Sequence, residues 1–141
     1  LNFNRLVPGT IRSVVRDEDP VIRSDGKFTR DYIYVEDAAH AYMTLAQNMM
    51  VNPSVKGQAF NFSYGEPLDV CQMVDRILTH MERRDLKPQI LGAASNEIPH
   101  QYLSAAKAHT ELDWKPKFNL DEGLLRTIRW YEDWFMEKNG R

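Results

Sequence analysis

Arg30 stands inside the run FTRDYIYVED, residues 28–37, a permanently charged guanidinium among aromatic and β-branched neighbours. Isolated in a strand, such a group is costly, so Arg30 needs a carboxylate such as Asp31 or Asp37, or a ligand anion. On pleat alternation it shares a face with Phe28, Tyr32 and Tyr34, and Asp31 points the other way. Arg5, Arg12 and Arg16 add a basic stripe near the start of the chain. The planar fork of arginine matches a diphosphate, each charge-assisted hydrogen bond contributing about 1.5 to 3 kcal/mol. A helix opening at Glu36 and Asp37 would repel phosphate, whereas NFNR, residues 2–5, has no carboxylate and is the better anion end.

Catalytic constellations are not visible. The seven glycines, at 9, 26, 57, 65, 92, 123 and 140, form no cluster of the kind that lets a backbone approach a pyrophosphate. None of the six tyrosines has a lysine four residues on. His40, His80, His100 and His109 lack metal-ligand spacing, and no nucleophile elbow or phosphate-cradling glycine loop occurs. The chemistry expected of these residues is binding, with no catalytic or metal-ligating side chain assigned.

The 141 residues suffice for one domain with a core, and 43% hydrophobic, 11% aromatic and 27% charged residues describe a globular chain. A net charge of −2 argues against a nucleic-acid or membrane-surface binder. The single cysteine, Cys71, points to a reducing compartment, with the cytoplasm as the expectation. No stretch is long and apolar enough to span a bilayer. A first residue of Leu, in sequence that already reads as structured, suggests a piece of a longer protein.

Hydrophobic spacing predicts a helix over residues 4–16 with Leu6, Val7, Ile11, Val14 and Val15 inward. PVIRS reads as a strand, Asp25-Gly26 as a turn, and residues 28–35 as a second strand. The next helix should bury Ala38, Ala41, Tyr42, Leu45 and Met49. QAFNFS reads as a short β segment. Asp69 and Gln72 have capping-box spacing ahead of Val70, Met73, Val74, Ile77, Leu78 and Met81. KPQIL reads as a strand, GAASNEIPHQY as a polar link, and residues 104–112 as a short helix stopped before Trp114, which docks. Asn119 and Glu122 cap a last helix whose seam is Leu124, Ile128, Tyr131 and Phe135. Tyr32, Tyr34, Phe60 and Phe62 read as core, and Cys71, Trp130, Tyr131 and Trp134 as packing residues. Asn61 and Ser63 either line a cavity or bond the turn after them. Alternating strands and helices give an α/β fold, but the strands are few and short, so part of the sheet is expected from sequence outside the chain.

Three separated stretches, DGKFTRDYIYVEDAAHAY, FNFSYGEPLDV and QYLSAAKAHTELDWKPKFNLDEGLLRTIRWY, resemble in order the C-terminal half of the extended short-chain dehydrogenase/reductase enzymes that act on nucleotide sugars. LNFNRLVPGTIRS and SNEIPHQYLS are most similar to the CDP-glucose 4,6-dehydratases among them. The resemblance covers essentially the whole chain. It implies the substrate-binding part of an extended Rossmann-type enzyme over residues 1–141, without the NAD-binding half and its catalytic pair. The intact enzyme would use NAD to oxidise the sugar at C4, lose water across C5 and C6, and return the hydride to C6. It would act as a homodimer, and the chain alone would be inactive. An epimerase of the same superfamily, or a non-catalytic sugar-nucleotide-binding module, is the alternative.

By the same resemblance Arg30 holds the substrate phosphates. Asn2, Asn4 and Arg5 approach phosphates and base, Ile22 and Arg23 lie along the nucleobase and ribose, and His100, Gln101 and Tyr102 form the late substrate-side segment. Relatives often carry an Arg-Pro-Gly-Asp stretch there with a second phosphate-binding arginine. Residues 93–102 read AASNEIPHQY instead, so the second charge is expected from Arg5, Arg12 or Arg23.

Overall fold

The computed structural model describes residues 1–93 and 97–139. The elements are α1 (Leu6–Val15), β1 (Val21–Ile22), β2 (Thr29–Arg30), α2 (Val35–Val51), a 3-10 turn at Pro53–Val55, β3 (Leu68–Asp69), α3 (Val70–His80), β4 (Gln89–Ile90), β5 (His100–Gln101), α4 (Ala106–Leu112) and α5 (Leu120–Asn139). They divide into two compact units. The first holds Leu1–Arg30, Leu68–Gln101 and α5 from Leu124; the second holds Asp31–Pro67 and Tyr102–Gly123.

In the first unit α1 packs on α3. Val14, Ile22, Val74, Leu78 and Leu86 form the core, with Leu6, Val70, Cys71 and Met81 against it. α3 forms where its spacing places it: Met73, Val74, Ile77 and Leu78 are buried, and Asp69 and Gln72 close a reciprocal capping box. Burying each such aliphatic side chain contributes about 1.5 to 3 kcal/mol. Two small sheets edge this core. β1 and β4 pair in parallel, Ile22 opposite Ile90. The other sheet has the order β3-β2-β5, with β2 antiparallel to β3 and parallel to β5. The seam of α5, Leu124, Ile128, Tyr131 and Phe135, is buried, and Phe3 meets Tyr131, Trp134 and Phe135 at ring distances of 6.1, 5.7 and 5.5 Å.

The second unit gathers Ala41, Val55, Ala105, Ala108, Leu112 and Trp114, with Ile33, Leu45, Phe60 and Phe62 packed on them. α4 ends at Asp113, which turns left-handed at φ 49°, and Trp114 docks as expected at 1% exposure. Its ring meets Phe62 at 5.1 Å and stacks on His109 at 5.5 Å. Asp37, fully buried, ties the loop before α5 to the start of α2. Its carboxylate accepts hydrogen bonds from the backbone N–H of Lys117 and Phe118 and from the Tyr64 hydroxyl.

Several expectations are corrected. The strand over residues 28–35 pairs only at Thr29–Arg30. Beyond it the Asp31 carboxylate accepts from Ser63 Oγ and the Leu103 N–H, and the Tyr34 N–H donates to Tyr64 Oη, so side chains take over from the ladder. The polar link contains β5, and its residues 94–96 lie outside the described residues. QAFNFS pairs with no strand among the described residues. Tyr42 and Met49, expected inward on α2, are 75% and 39% exposed; the buried positions are Asp37 and Ala41. Trp130, expected to pack, is 52% exposed.

Candidate functional site

The candidate residues fall into two groups. At the entry to α1, Asn2 Oδ1 accepts from the Asn4 N–H at 3.0 Å, a local turn that sets the helix start. Asn4 Oδ1 in turn accepts from Arg23 Nη2 at 3.2 Å, bringing Arg23 from beyond β1 to the N-terminus of α1. Arg5 occupies the N-cap with no side-chain cap, and no acid lies in the first turn. The positive end of the helix is therefore uncompensated, with Arg5 and Arg23 flanking it. Arg12 is directed elsewhere: its guanidinium lies 5.5 Å from the Phe3 ring centroid, and its Nε is buried without a partner among the described residues. Of the three arginines expected to supply a second charge, Arg5 and Arg23 lie at the start of α1 and Arg12 turns to Phe3.

Arg30 anchors the other group at the centre of the three-stranded sheet. Its Nη1 donates to the carbonyls of Thr29 and Ile98, both at 2.9 Å, and its Nη2 pairs with Glu97 Oε2 at 2.9 Å. The guanidinium lies 5.7 Å from the Phe28 ring, on the face predicted by alternation. Its carboxylate is thus Glu97, 67 residues away, and neither Asp31 nor Asp37. Asp31 is engaged by Ser63 and Leu103, and Asp37 by Tyr64, Lys117 and Phe118. The purely structural account of Arg30, a strand arginine paired with a carboxylate, is therefore met in part. Among the described residues three of its five N–H donors are engaged, leaving Nε and one Nη2 hydrogen for an anion. Its side chain is 25% exposed.

Gln101 is the register partner of Arg30 on β5. His100 faces half-buried Thr29, Nδ1 to Oγ1 at 3.1 Å, and His100 and Gln101 are exposed. Tyr102 follows at 61% exposure. Ile22, at 2% exposure, has its side chain in the core, and its carbonyl accepts from the Leu91 N–H. Among the described residues no hydrogen bond joins the Asn4–Arg23 pair to the Arg30 group. A cavity of about 470 Å³ lies beside Ile22, lined also by Cys71, Leu78, Arg84, Lys87 and Ile90, and Arg30 does not line it. Ser63 is buried and bonds both Asp31 and the Gly65 N–H, which settles it as a turn residue.

Glu97 and Ile98 are the residues that sequence reasoning missed. A carboxylate in a polar stretch carries no periodic signal, and only the parallel pairing of β5 with β2 brings it to Arg30.

Two of the described glycines are closely packed against side chains. A Cβ on Gly26 (φ 84°) would stand 2.2 Å from Cys71 Sγ, and one on Gly123 would stand 2.6 Å from Tyr34. Those close approaches serve packing. Among the described residues no metal-binding cluster occurs and no helix is long and apolar enough to cross a membrane.

The NAD dependent epimerase/dehydratase family matches over residues 2–62. A dTDP-glucose 4,6-dehydratase of Haemophilus influenzae is 25% identical over 134 residues, 90% of this chain and 39% of that protein. UDP-glucuronic acid decarboxylase 1 of Arabidopsis thaliana is 27% identical over 128 residues, 91% of this chain and 28% of that protein. Among solved structures, the UDP-glucose 4-epimerase of Thermotoga maritima with UDP-glucose superposes with a TM-score of 0.78 at 25% identity, covering 93% of this chain and 40% of the epimerase. The fold is thus an α/β fragment shared with sugar-nucleotide epimerases and dehydratases. The chain spans two fifths or less of the length of these relatives.

Proposed function

We propose that this chain is the C-terminal, substrate-binding portion of an enzyme of the NAD dependent epimerase/dehydratase family, acting on a nucleotide sugar. The observation that carries the reading is the likeness extending over nine tenths of the chain, with Arg30 held at a sheet centre and still able to donate two hydrogen bonds. In this reading Arg30 meets the diphosphate through Nε and Nη2. The start of α1, with Arg5 and Arg23, supplies the further positive potential that the missing Arg-Pro-Gly-Asp arginine would have given. Gln101, His100 and Tyr102 present exposed polar groups to the sugar side, and Asn2 and Asn4 orient the α1 entry.

NAD is the redox group of the proposed enzyme, and it supplies the hydride acceptor and donor. The glycines of this chain are spread through the sequence without the close spacing of a pyrophosphate cradle, and Gly26 and Gly123 are packed against Cys71 and Tyr34. NAD binding and proton transfer are accordingly assigned to other parts of the enzyme. The reaction favoured is 4,6-dehydration with CDP-glucose as substrate, on the strength of LNFNRLVPGTIRS and SNEIPHQYLS. The likeness to a UDP-glucose 4-epimerase supports 4-epimerisation as the second reading.

Titration of CDP-, UDP- and dTDP-glucose against the full-length protein, with the product identified, tests these points. A 4-keto-6-deoxy sugar from CDP-glucose is the expected product, and inversion at C4 would replace dehydratase by epimerase. Arg30→Ala should weaken nucleotide-sugar binding more than tenfold, corresponding to about 1.4 kcal/mol or more. Unchanged affinity would return Arg30 to a purely structural role.

A further inference from the structure

In the parallel pairing of β2 with β5, Thr29 stands opposite His100, and its N–H donates to the Pro99 carbonyl at 2.8 Å. Two residues further along, a continued ladder would carry the Leu103 N–H to the backbone carbonyl of Asp31. It goes instead to the Asp31 side chain, meeting Oδ2 at 3.0 Å. The same oxygen accepts from Ser63 Oγ at 2.6 Å, and Ser63, 2% exposed, has its own oxygen engaged by the Gly65 N–H at 2.8 Å. Asp31, Ser63 and Leu103 all belong to the second compact unit. A buried hydroxyl thus aims the carboxylate at one backbone N–H, that of the residue after Tyr102.

A stabilising role accounts poorly for this arrangement. Leu103 is 46% exposed and Tyr102 61% exposed, so the bond covers no core. Asp31 Oδ1 is buried with no partner among the described residues, and that half of the carboxylate carries a desolvation cost without a bond to offset it. What the bond does achieve is local order. An exposed tyrosine whose following residue is tied to a buried group has less backbone freedom to lose when a ligand arrives, so less entropy is subtracted from each contact it makes.

We propose that Asp31 is a positioning residue for the sugar: through the Leu103 N–H it fixes Tyr102, which meets the sugar of a bound nucleotide sugar, while Arg30, one position earlier, meets the diphosphate. This rests on the proposed function, which puts residues 100–102 on the sugar side. Two adjacent residues then divide the ligand between them. Arg30 acts on the part that every nucleoside diphosphate shares, and Asp31 acts on the part that distinguishes a nucleotide sugar from the free diphosphate. Loss of the Asp31 carboxylate should therefore weaken the sugar derivative alone, whereas loss of the Arg30 guanidinium should weaken both.

Titration of the full-length protein containing this chain with CDP-, UDP- and dTDP-glucose, and with CDP, UDP and dTDP alone, tests the assignment. For the pair that the wild type binds, Asp31→Ala should weaken the glucose derivative by about fivefold or more and the free diphosphate by less than about twofold. Asp31→Asn keeps an oxygen able to accept both bonds and should stay within about twofold of the wild type on both ligands. Equal loss of the two ligands in Asp31→Ala, or loss of neither, would overturn the assignment and leave Asp31 a structural residue. Hydrogen exchange gives an independent readout: the Leu103 amide should exchange about tenfold or more faster in Asp31→Ala than in the wild type or Asp31→Asn, and an unchanged rate would also overturn it. If Asp31→Ala does not fold, Tyr102→Ala, at an exposed side chain, decides: it should weaken the glucose derivative and spare the free diphosphate, and equal effects on both sink the proposal. A wild type that binds none of the three sugars overturns the proposed function together with this assignment, whereas binding that Asp31→Ala fully retains overturns this assignment alone.

Discussion

α3 and α2 begin in opposite ways. α3 is capped within four residues, Asp69 accepting from the Gln72 N–H at 2.7 Å and the Asp69 N–H donating to Gln72 Oε1 at 2.9 Å. α2 has no side-chain cap at Tyr34. Its first-turn acid, Asp37, is buried and engages the backbone of residues 80 and 81 positions further on, together with Tyr64. The two helices also differ in how they are covered. α3 buries one face and leaves polar residues outside, whereas α2 buries a narrow strip and exposes a second apolar one. Local capping and a single apolar face make a helix legible and self-contained. Distant partners and two apolar faces make one that depends on its surroundings.

The sharpest test of that contrast compares truncations. Ile77→Ala, at a fully buried position of α3, should cost about 2 to 5 kcal/mol in denaturant unfolding of the chain. Met50→Ala on the outer face of α2 should stay within about 0.5 kcal/mol. Equal costs would erase the distinction.

The start of α2 offers the next test. Tyr64→Phe removes a donor to Asp37 and should cost about 1 to 3 kcal/mol. Burial first, and then the hydrogen bond to Asp37, hold the Tyr64 hydroxyl proton above its ordinary pKa of 10.0. The folded state binds this proton more tightly than the unfolded chain, so its stabilising contribution is full below pH 10.0 and is lost as the pH rises beyond that value. Wild-type stability should fall more steeply than that of Tyr64→Phe in alkaline melts, and parallel curves would refute the linkage. The local cap should give a smaller loss than either buried site: Asp69→Ala should lower stability by about 1 kcal/mol, read by circular dichroism.

Where packing follows period and capping, the sequence was readable. α3, the seam of α5, the Asn119–Glu122 cap and the docking of Trp114 all appear where spacing places them. The strands were poorly readable, because each pairs over only two residues and side-chain bonds from Asp31 and Tyr64 end the longest expected run. Tyr42 and Met49 misled the periodicity argument because an apolar residue facing outward has the same signature as one facing the core.

The candidate site divides in the same manner. Arg30 was conspicuous as a charge among aromatics, and the acid-free start of α1 could be read from four residues. Its partner Glu97, the turning of Arg23 onto Asn4, the diversion of Arg12 to Phe3 and the burial of Ile22 could not. Sequence alone determined what repeats locally: helical faces, caps, and the presence of a cation that requires an anion. Tertiary structure alone decided which anion meets it and which apolar faces stay uncovered, because a hydrogen bond between residues 67 positions apart depends on strand pairing that leaves no periodic trace in the chain.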